Sequence, residues 1–272
     1  MSPVAATRPL ILGHRGSSAL APENTLAAFQ RCIEDGADGF EFDVRLSSDG
    51  VPVVIHDASL QRTSGQRFLV SDLTANELQQ IDVGSWFNRQ NPQRAESSYE
   101  RQTVPTLDQV IDLSRESQTV LCIEMKPDPT RGLDLAAAVV RAIQQHSLYE
   151  RVVVESFDLA ATAEVKRLEP KIRTAALFEP SLSHPSSLVR LMKTTELALK
   201  VQADVLALHH SLATKRAVEQ AKNAGLAIVV WTVDDAAWVE RALKFGIEAL
   251  IANNPAPLVA ARELLSTPVQ HD

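Results

Sequence analysis

A chain of 272 residues can bury a full core, and closed barrels of about 250 residues are commonly a single domain. The balance is mildly acidic, 34 Asp and Glu against 27 Lys and Arg, with no basic run dense enough to track a phosphate backbone, so nucleic acid is not an expected partner. Met1 to Arg8 lacks a basic segment followed by a long apolar core, and no stretch approaches the roughly 18 apolar residues of a membrane span, so the reading is a soluble, cytoplasmic protein with no transmembrane segment.

Pro9 to His14, PLILGH, is a short apolar run that reads as a buried strand delivering His14 to its C-terminal end, with the Arg15 guanidinium beside it and Gly16 letting a ligand approach the backbone. Asn24 is placed as the cap of a helix running through Asp35, with Leu26, Phe29 and Ile33 at helical spacing and Gly36 beyond its end. Cys32 lies in this helix and Cys122 far from it. Two cysteines so separated form neither a disulfide framework nor a zinc cluster and read as buried thiols.

The next stretch, ADGFEFDVRLSSDGVPVVIHD at 37–57, alternates Phe40, Phe42 and Val44 with Glu41, Asp43 and Arg45, so Glu41 and Asp43 project from one face of a strand. Asp49-Gly50 is the strongest short hairpin signal in the chain. A two-residue turn there sets His56 opposite Asp43, whereas a longer or bulged turn would shift that register. Two acids and a histidine converging at one strand end suit a divalent cation plus a proton-transfer group.

Residues 58–105 break the rhythm and read as an insert packed over one mouth of a barrel, with a short helix over 75–81 and with Trp86 and Phe87 either packing within it or anchoring it there. From Thr106 the alternation resumes. Helices over 106–117, 133–146, 158–168, about 187–200, 212–224 and 235–245 lead to strands over 119–126, 152–156, 172–178, 204–208, 226–231 and 249–252, followed by a closing helix. Setting the antiparallel return aside, eight strands alternate with helices, and the economical architecture is an α/β fold of the TIM type, a (β/α)8 barrel spanning 8–266 as one domain with the insert after its second strand.

Chemistry in such barrels sits at the strand C-terminal ends, where His14, Glu41, Asp43, Glu124, Lys126 and Trp231 all fall. Glu124 ends the strand that a barrel places directly beside Glu41 and Asp43. Three carboxylates so close call for one hard divalent cation, and oxygen-only ligands favour Mg, Ca or Mn over zinc. Trp231 offers a flat apolar wall for substrate. His146, His184 and His271 read as structural or solvated. His209 and His210 follow the sixth strand of the count at the same mouth and are read as structural.

HRGSSALAPENTLAAF at 14–29, EFDVRLSSDGVPVVIHD at 41–57, LCIEMK at 121–126 and VVWTV at 229–233 together resemble the glycerophosphodiester phosphodiesterases. The resemblance implies His14 and His56 as a general acid/base pair, and Glu41, Asp43 and Glu124 as ligands of a Mg or Ca ion. It also implies Arg15 and Lys126 as phosphate contacts and 58–105 as the family's insert. The implied activity is hydrolysis of a small glycerophosphodiester to glycerol 3-phosphate and an alcohol. The alternatives are a lysophospholipase D or sphingomyelinase-D-like activity, and a non-catalytic sugar-phosphate binding barrel. One block departs: the family's final strand usually ends in Thr-Asp before its Pro, and here Asn253-Asn254-Pro255 carries no charge.

Overall fold

The computed structural model describes residues 8–128, 131–180 and 193–266, so His184, His271 and the first part of the helix expected near 187 lie outside the described residues. Eight parallel strands close into a barrel: β1 (Leu10–His14), β2 (Gly39–Leu46), β4 (Val120–Met125), β5 (Val152–Ser156), β6 (Arg173–Phe178), β7 (Val205–His209), β8 (Ala227–Trp231) and β9 (Ala249–Ala252). β1 pairs with both β2 and β9, which completes the ring. The ninth strand, β3 (Pro52–Val54), is the antiparallel return of the hairpin. Around the ring lie α1 (Leu26–Glu34), α2 (Leu107–Ser117), α3 (Gly132–His146), α4 (Leu159–Leu168), α5 (Thr194–Lys200), α6 (Lys215–Asn223), α7 (Ala237–Phe245) and α8 (Ala256–Ser266). No described helix is long and apolar enough to cross a membrane.

The strands read as nearly unbroken apolar runs because both of their faces are covered. Phe40, Phe42 and Val44 of β2 and Leu121, Ile123 and Met125 of β4 point outward beneath the helices. Phe29 of α1 stacks on Phe40 with ring centroids 4.6 Å apart. The alternate residues point into the lumen, where Leu12, Cys122, Ala175, Val205, Ala207, Val229 and Ile251 pack as an apolar floor. Cys32 and Cys122 are both free, buried thiols.

Two local expectations are corrected. The hairpin closes one residue short of the two-residue register: Val44 pairs with Val54, and Ile55, not His56, donates its amide to the Asp43 carbonyl. The loop is three residues long because Gly50 takes φ +78° and the Ser47 hydroxyl accepts the Val51 amide. Such a slip should turn His56 away from the acids. It does not, because β3 ends at Val54 and the chain bends at His56, whose carbonyl is held by Arg45 Nε at 2.8 Å. The second correction concerns α1, which is capped by Thr25, whose hydroxyl accepts the Ala28 amide. Asn24 sits before it at φ +57° and turns its side chain to Asp43.

Between β3 and α2 the chain runs through short helical turns, among them Gln61–Ser64, Ala75–Leu78 and Ser85–Gln90. They enclose a small core of their own, in which Val53, Ile55, Leu60, Val70, Leu78 and Val104 are buried. Phe87 packs with Tyr99 against Ala21 and Ala28, and Trp86 donates to the Val83 carbonyl, so this pair fastens the segment to the β1–α1 connection.

That connection is held open by Gly16. Its φ is +81°, and a Cβ there would lie 2.6 Å from the carbonyl carbon and oxygen of Ala28. Gly16→Ala is therefore expected to lower unfolding stability by about 2 to 4 kcal/mol, from left-handed strain plus overpacking. Urea titration checks this, and a loss under about 0.5 kcal/mol would mean that the turn relaxes freely.

Candidate active site

The lumen-facing alternation that makes an apolar floor also places polar side chains at the C-terminal mouth. Glu41 and Asp43 of β2 face inward, and Asp43 pairs in register with Glu124 of β4. The three carboxylates are buried, and one oxygen from each lies within 4.8 Å of the others. β1 ends at His14 opposite Glu41, and β3 takes over the same edge of β2 beyond it. The two histidines therefore reach the acids from opposite ends of one strand edge. His14 Nε2 is 3.9 Å from Glu41 Oε2, while the charges of Asp43, Arg15 and Lys126 all act on His56.

Each acid is held by named partners. Asn24 donates to Asp43 Oδ2 at 2.7 Å and accepts the Asp43 amide. Arg15 reaches Asp43 Oδ2 with Nε at 3.2 Å, and its backbone amide donates to Glu41 Oε2. Lys126 Nζ lies 2.5 Å from Glu124 Oε1 and 3.3 Å from Asp43 Oδ1. Both oxygens lean on that one ammonium, and among the described residues Glu41 Oε1 has no hydrogen-bond partner. Three buried carboxylate oxygens left short of donors, with an ammonium drawn in among them, form a seat that fits a hard divalent cation.

A second tier was not read from the sequence. Arg62, from the first turn after the hairpin, binds both oxygens of Glu23 and also Asp57 Oδ2 at 2.6 Å. Glu23 in turn holds Arg15 Nη1, and Asp57 Oδ1 holds His56 Nδ1 at 2.7 Å. One guanidinium thus braces a histidine and an arginine of the site. Glu155 of β5, in register with Glu124, is also buried in the lumen and hydrogen-bonds the Cys122 thiol. Across the mouth Trp231 meets Phe157 and His209 edge to face, at centroid distances of 5.5 and 5.4 Å. His209 thus belongs to an aromatic wall, and His210 bonds the Thr232 carbonyl.

Residues 14–256 match the glycerophosphoryl diester phosphodiesterase family. The chain belongs to that family. A glycerophosphodiester phosphodiesterase of Caldanaerobacter subterraneus subsp. tengcongensis is 31% identical over 93% of this chain and 97% of its own. A phosphodiesterase of Oleispira antarctica, solved in complex with the product sn-glycerol-3-phosphate, superposes with a TM-score of 0.80 at 28% identity, covering 94% of this chain and 97% of that one. The glycerophosphodiester phosphodiesterase of Thermotoga maritima gives 0.71 at 27% identity, covering 93% and 98%. At the position where this phosphodiesterase family usually carries an Asp, Asn253 accepts a hydrogen bond from His14 Nδ1 at 2.7 Å.

Burial and mutual repulsion set the protonation of the cluster. Burial, with Asp43 next in weight, raises Glu124 to about 8, and burial with Asp43 and Glu124 raises Glu41 well above the usual carboxylate range. Asp43 goes the other way: burial opposes ionisation, but Arg15, Lys126 and His56 outweigh it and hold the carboxyl at about 2. Burial and then the Arg15 charge lower His14 to about 4, and burial lowers His56 against the pull of Asp43.

A carboxyl raised in the native state stabilises the fold while protonated, and that contribution fades as pH rises from its unfolded value of 4.5 towards its native value of about 8. The chelated protein should therefore lose melting temperature between about pH 5 and about pH 8. Added Mg should restore more at the upper end, where the seat is charged, and Glu124→Gln should flatten the decline. Equal slopes for Glu124→Gln and the native chain in EDTA would contradict this.

Proposed function

We propose that the protein hydrolyses small glycerophosphodiesters to glycerol 3-phosphate and an alcohol. Residues 8–266 form one catalytic barrel in this reading, with 58–105 as its insert. The observation that carries it is the convergence at one mouth of two histidines, three buried carboxylates and two cationic side chains, in a chain whose Oleispira relative was solved with glycerol 3-phosphate. A phosphodiester anion repels nucleophiles, and Arg15 and Lys126 lie where they can bind its oxygens and stabilise the charge that shifts as the bond breaks. Glu41, Asp43 and Glu124 would hold a divalent ion, Mg or Ca and also Mn by their oxygen chemistry, and such an ion would supply Lewis-acid neutralisation of the phosphoryl group. One of His14 and His56 takes the proton of the attacking hydroxyl, from water or from the neighbouring glycerol hydroxyl, and the other returns a proton to the departing alkoxide. Asp57 orients His56 and stabilises its charged form.

A cavity of about 380 Å³ opens beside His14 and Arg15, lined also by Ser18, Glu23, Asp234 and Asn253. Its polar lining suits a glycerophosphoryl group. A second cleft beside Lys126, where Leu46, Leu69, Val70 and Leu135 meet Arg45, Asp128 and Arg131, holds about 50 Å³, room for a few waters.

A coupled glycerol 3-phosphate assay tests the reading. His14→Gln and His56→Gln should each lose on the order of a hundredfold or more in turnover while remaining folded. Chelation should abolish activity and Mg or Ca restore it. Near-native rates in either folded variant, or full activity in a rigorously metal-free preparation, would sink it.

Arg62 touches none of the reacting groups and acts through Asp57 and Glu23. Arg62→Ala should lower kcat about 10- to 100-fold, as removal of a supporting partner does elsewhere. It should also move the pH profile, since His56 and Arg15 both lose their brace. An unchanged profile would limit Arg62 to fastening the insert.

A further inference from the structure

The ends of β8 and β9 carry a hydrogen-bond chain that leads to His14. Asn253, just past β9, faces three ways. Its Oδ1 is 2.7 Å from His14 Nδ1 and also accepts from the Ser18 hydroxyl at 3.2 Å. Its Nδ2 donates to Asp234 Oδ2 at 2.8 Å, and its own amide and that of Asn254 donate to Asp234 Oδ1. The Asn253 carbonyl accepts from the Ala19 amide, which anchors the residue to the β1–α1 connection. Nothing in the local pattern of either segment joins Asp234 to His14. The link exists only because β9 lies between β8 and β1.

We propose that Asp234 is a positioning residue that acts on His14 through the side-chain amide of Asn253, fixing the imidazole with its proton on Nδ1 and its lone pair on Nε2. Donors and acceptors fix the arrangement. An ionised carboxylate only accepts, so the amide must turn its NH2 to Asp234. The amide oxygen, which also only accepts, is then left facing His14, and a second donor, Ser18, holds it there. His14 must therefore present Nδ1–H, and in the neutral imidazole Nε2 is the acceptor. That nitrogen lies on the Glu41 side, facing the carboxylate seat. His14 is thereby set to take a proton rather than give one at the start of a turnover, which makes it the acceptor of the hydroxyl proton in the reaction proposed above. The chain performs with an uncharged link what a directly bound carboxylate would do, without placing a charge on the imidazole. This inference rests on the catalytic reading of His14, and its test keeps the two apart.

The useful variants follow from the same pairing of donors and acceptors. Asp234→Asn keeps an oxygen for the amides of Asn253 and Asn254 but lets the Asn253 side chain turn over, so it removes the orientation and spares the backbone cap. Asn253→Asp sets two carboxylates face to face. The double exchange Asp234→Asn with Asn253→Asp rebuilds the chain with only the 234–253 bond reversed: the new amide donates to the new carboxylate, which still accepts from His14 and Ser18. The measurement is a long-range proton–nitrogen spectrum of histidine-labelled protein with Mg present at about pH 8, where an ordinary imidazole is neutral. His14 is assigned from the signal missing in His14→Gln, and kcat and KM are measured in parallel.

The native chain should show His14 protonated on Nδ1 alone. Asp234→Asn should give a mixture of tautomers with kcat down about tenfold and KM within about twofold, and Asn253→Asp should lose more, about a hundredfold. The double exchange should recover both the single tautomer and most of kcat. A native His14 protonated on Nε2, a tautomer unmoved by Asp234→Asn, or a double exchange no better than Asn253→Asp alone would each overturn the proposal. Near-native turnover in His14→Gln would instead defeat the catalytic reading, and the tautomer data would still decide whether the relay exists.

Discussion

Three carboxylates buried against one another in the barrel lumen are the constraint on which the rest of the site depends. Like charges in a low-dielectric interior repel strongly, and burial removes the bulk water that would offset the cost. The surrounding chain is arranged to supply that compensation. Asn24 gives its whole side chain to Asp43, Arg15 bridges Glu41 and Asp43, and Lys126 leans across Glu124. The backbone bends to permit this, with positive φ at Arg15, Gly16 and Asn24 in a single short connection. The cost of that left-handed backbone is offset by charge pairing in the lumen.

The mouth divides into two walls of different chemistry. Carboxylates, cations and histidines occupy the β1, β2 and β4 side, while Phe157, Trp231 and His209 line the β5, β7 and β8 side. Lys126 lies at the junction, 5.5 Å from the Phe157 ring centroid as well as among the acids. A phosphodiester with a small polyol on one side and an alcohol on the other can be bound by such a division, its charge against the first wall and its carbon skeleton against the second.

How much of this could be read from the chain follows from how local each signal is. Strand parity has a period of two residues, so Glu41 with Asp43, and Glu124 with Lys126, declared a common face without any tertiary information. Barrel order then brought the two strands together. Glu155 obeys the same rule, but the Val152–Val154 run before it gives no alternation from which its face could be read. Asn24 and Thr25 are both good caps for α1, and the choice between them is made by Asp43, nineteen residues from Asn24. Asp49-Gly50 marks the hairpin, but its register turns on Ser47, whose hydroxyl favours the three-residue loop. Arg62 with Glu23, and Asp234 with Asn253, carry no periodic signal, since each pair meets only after separate segments fold onto the same mouth.

The account stands or falls on the carboxylates forming a single cation seat. A crystal grown with Mn and measured at a wavelength where Mn scatters anomalously tests that directly. The account predicts one strong anomalous peak within about 2.0 to 2.6 Å of oxygens from Glu41, Asp43 and Glu124. A seat with no peak at saturating Mn, or a peak held instead by His209 and His210, would contradict it.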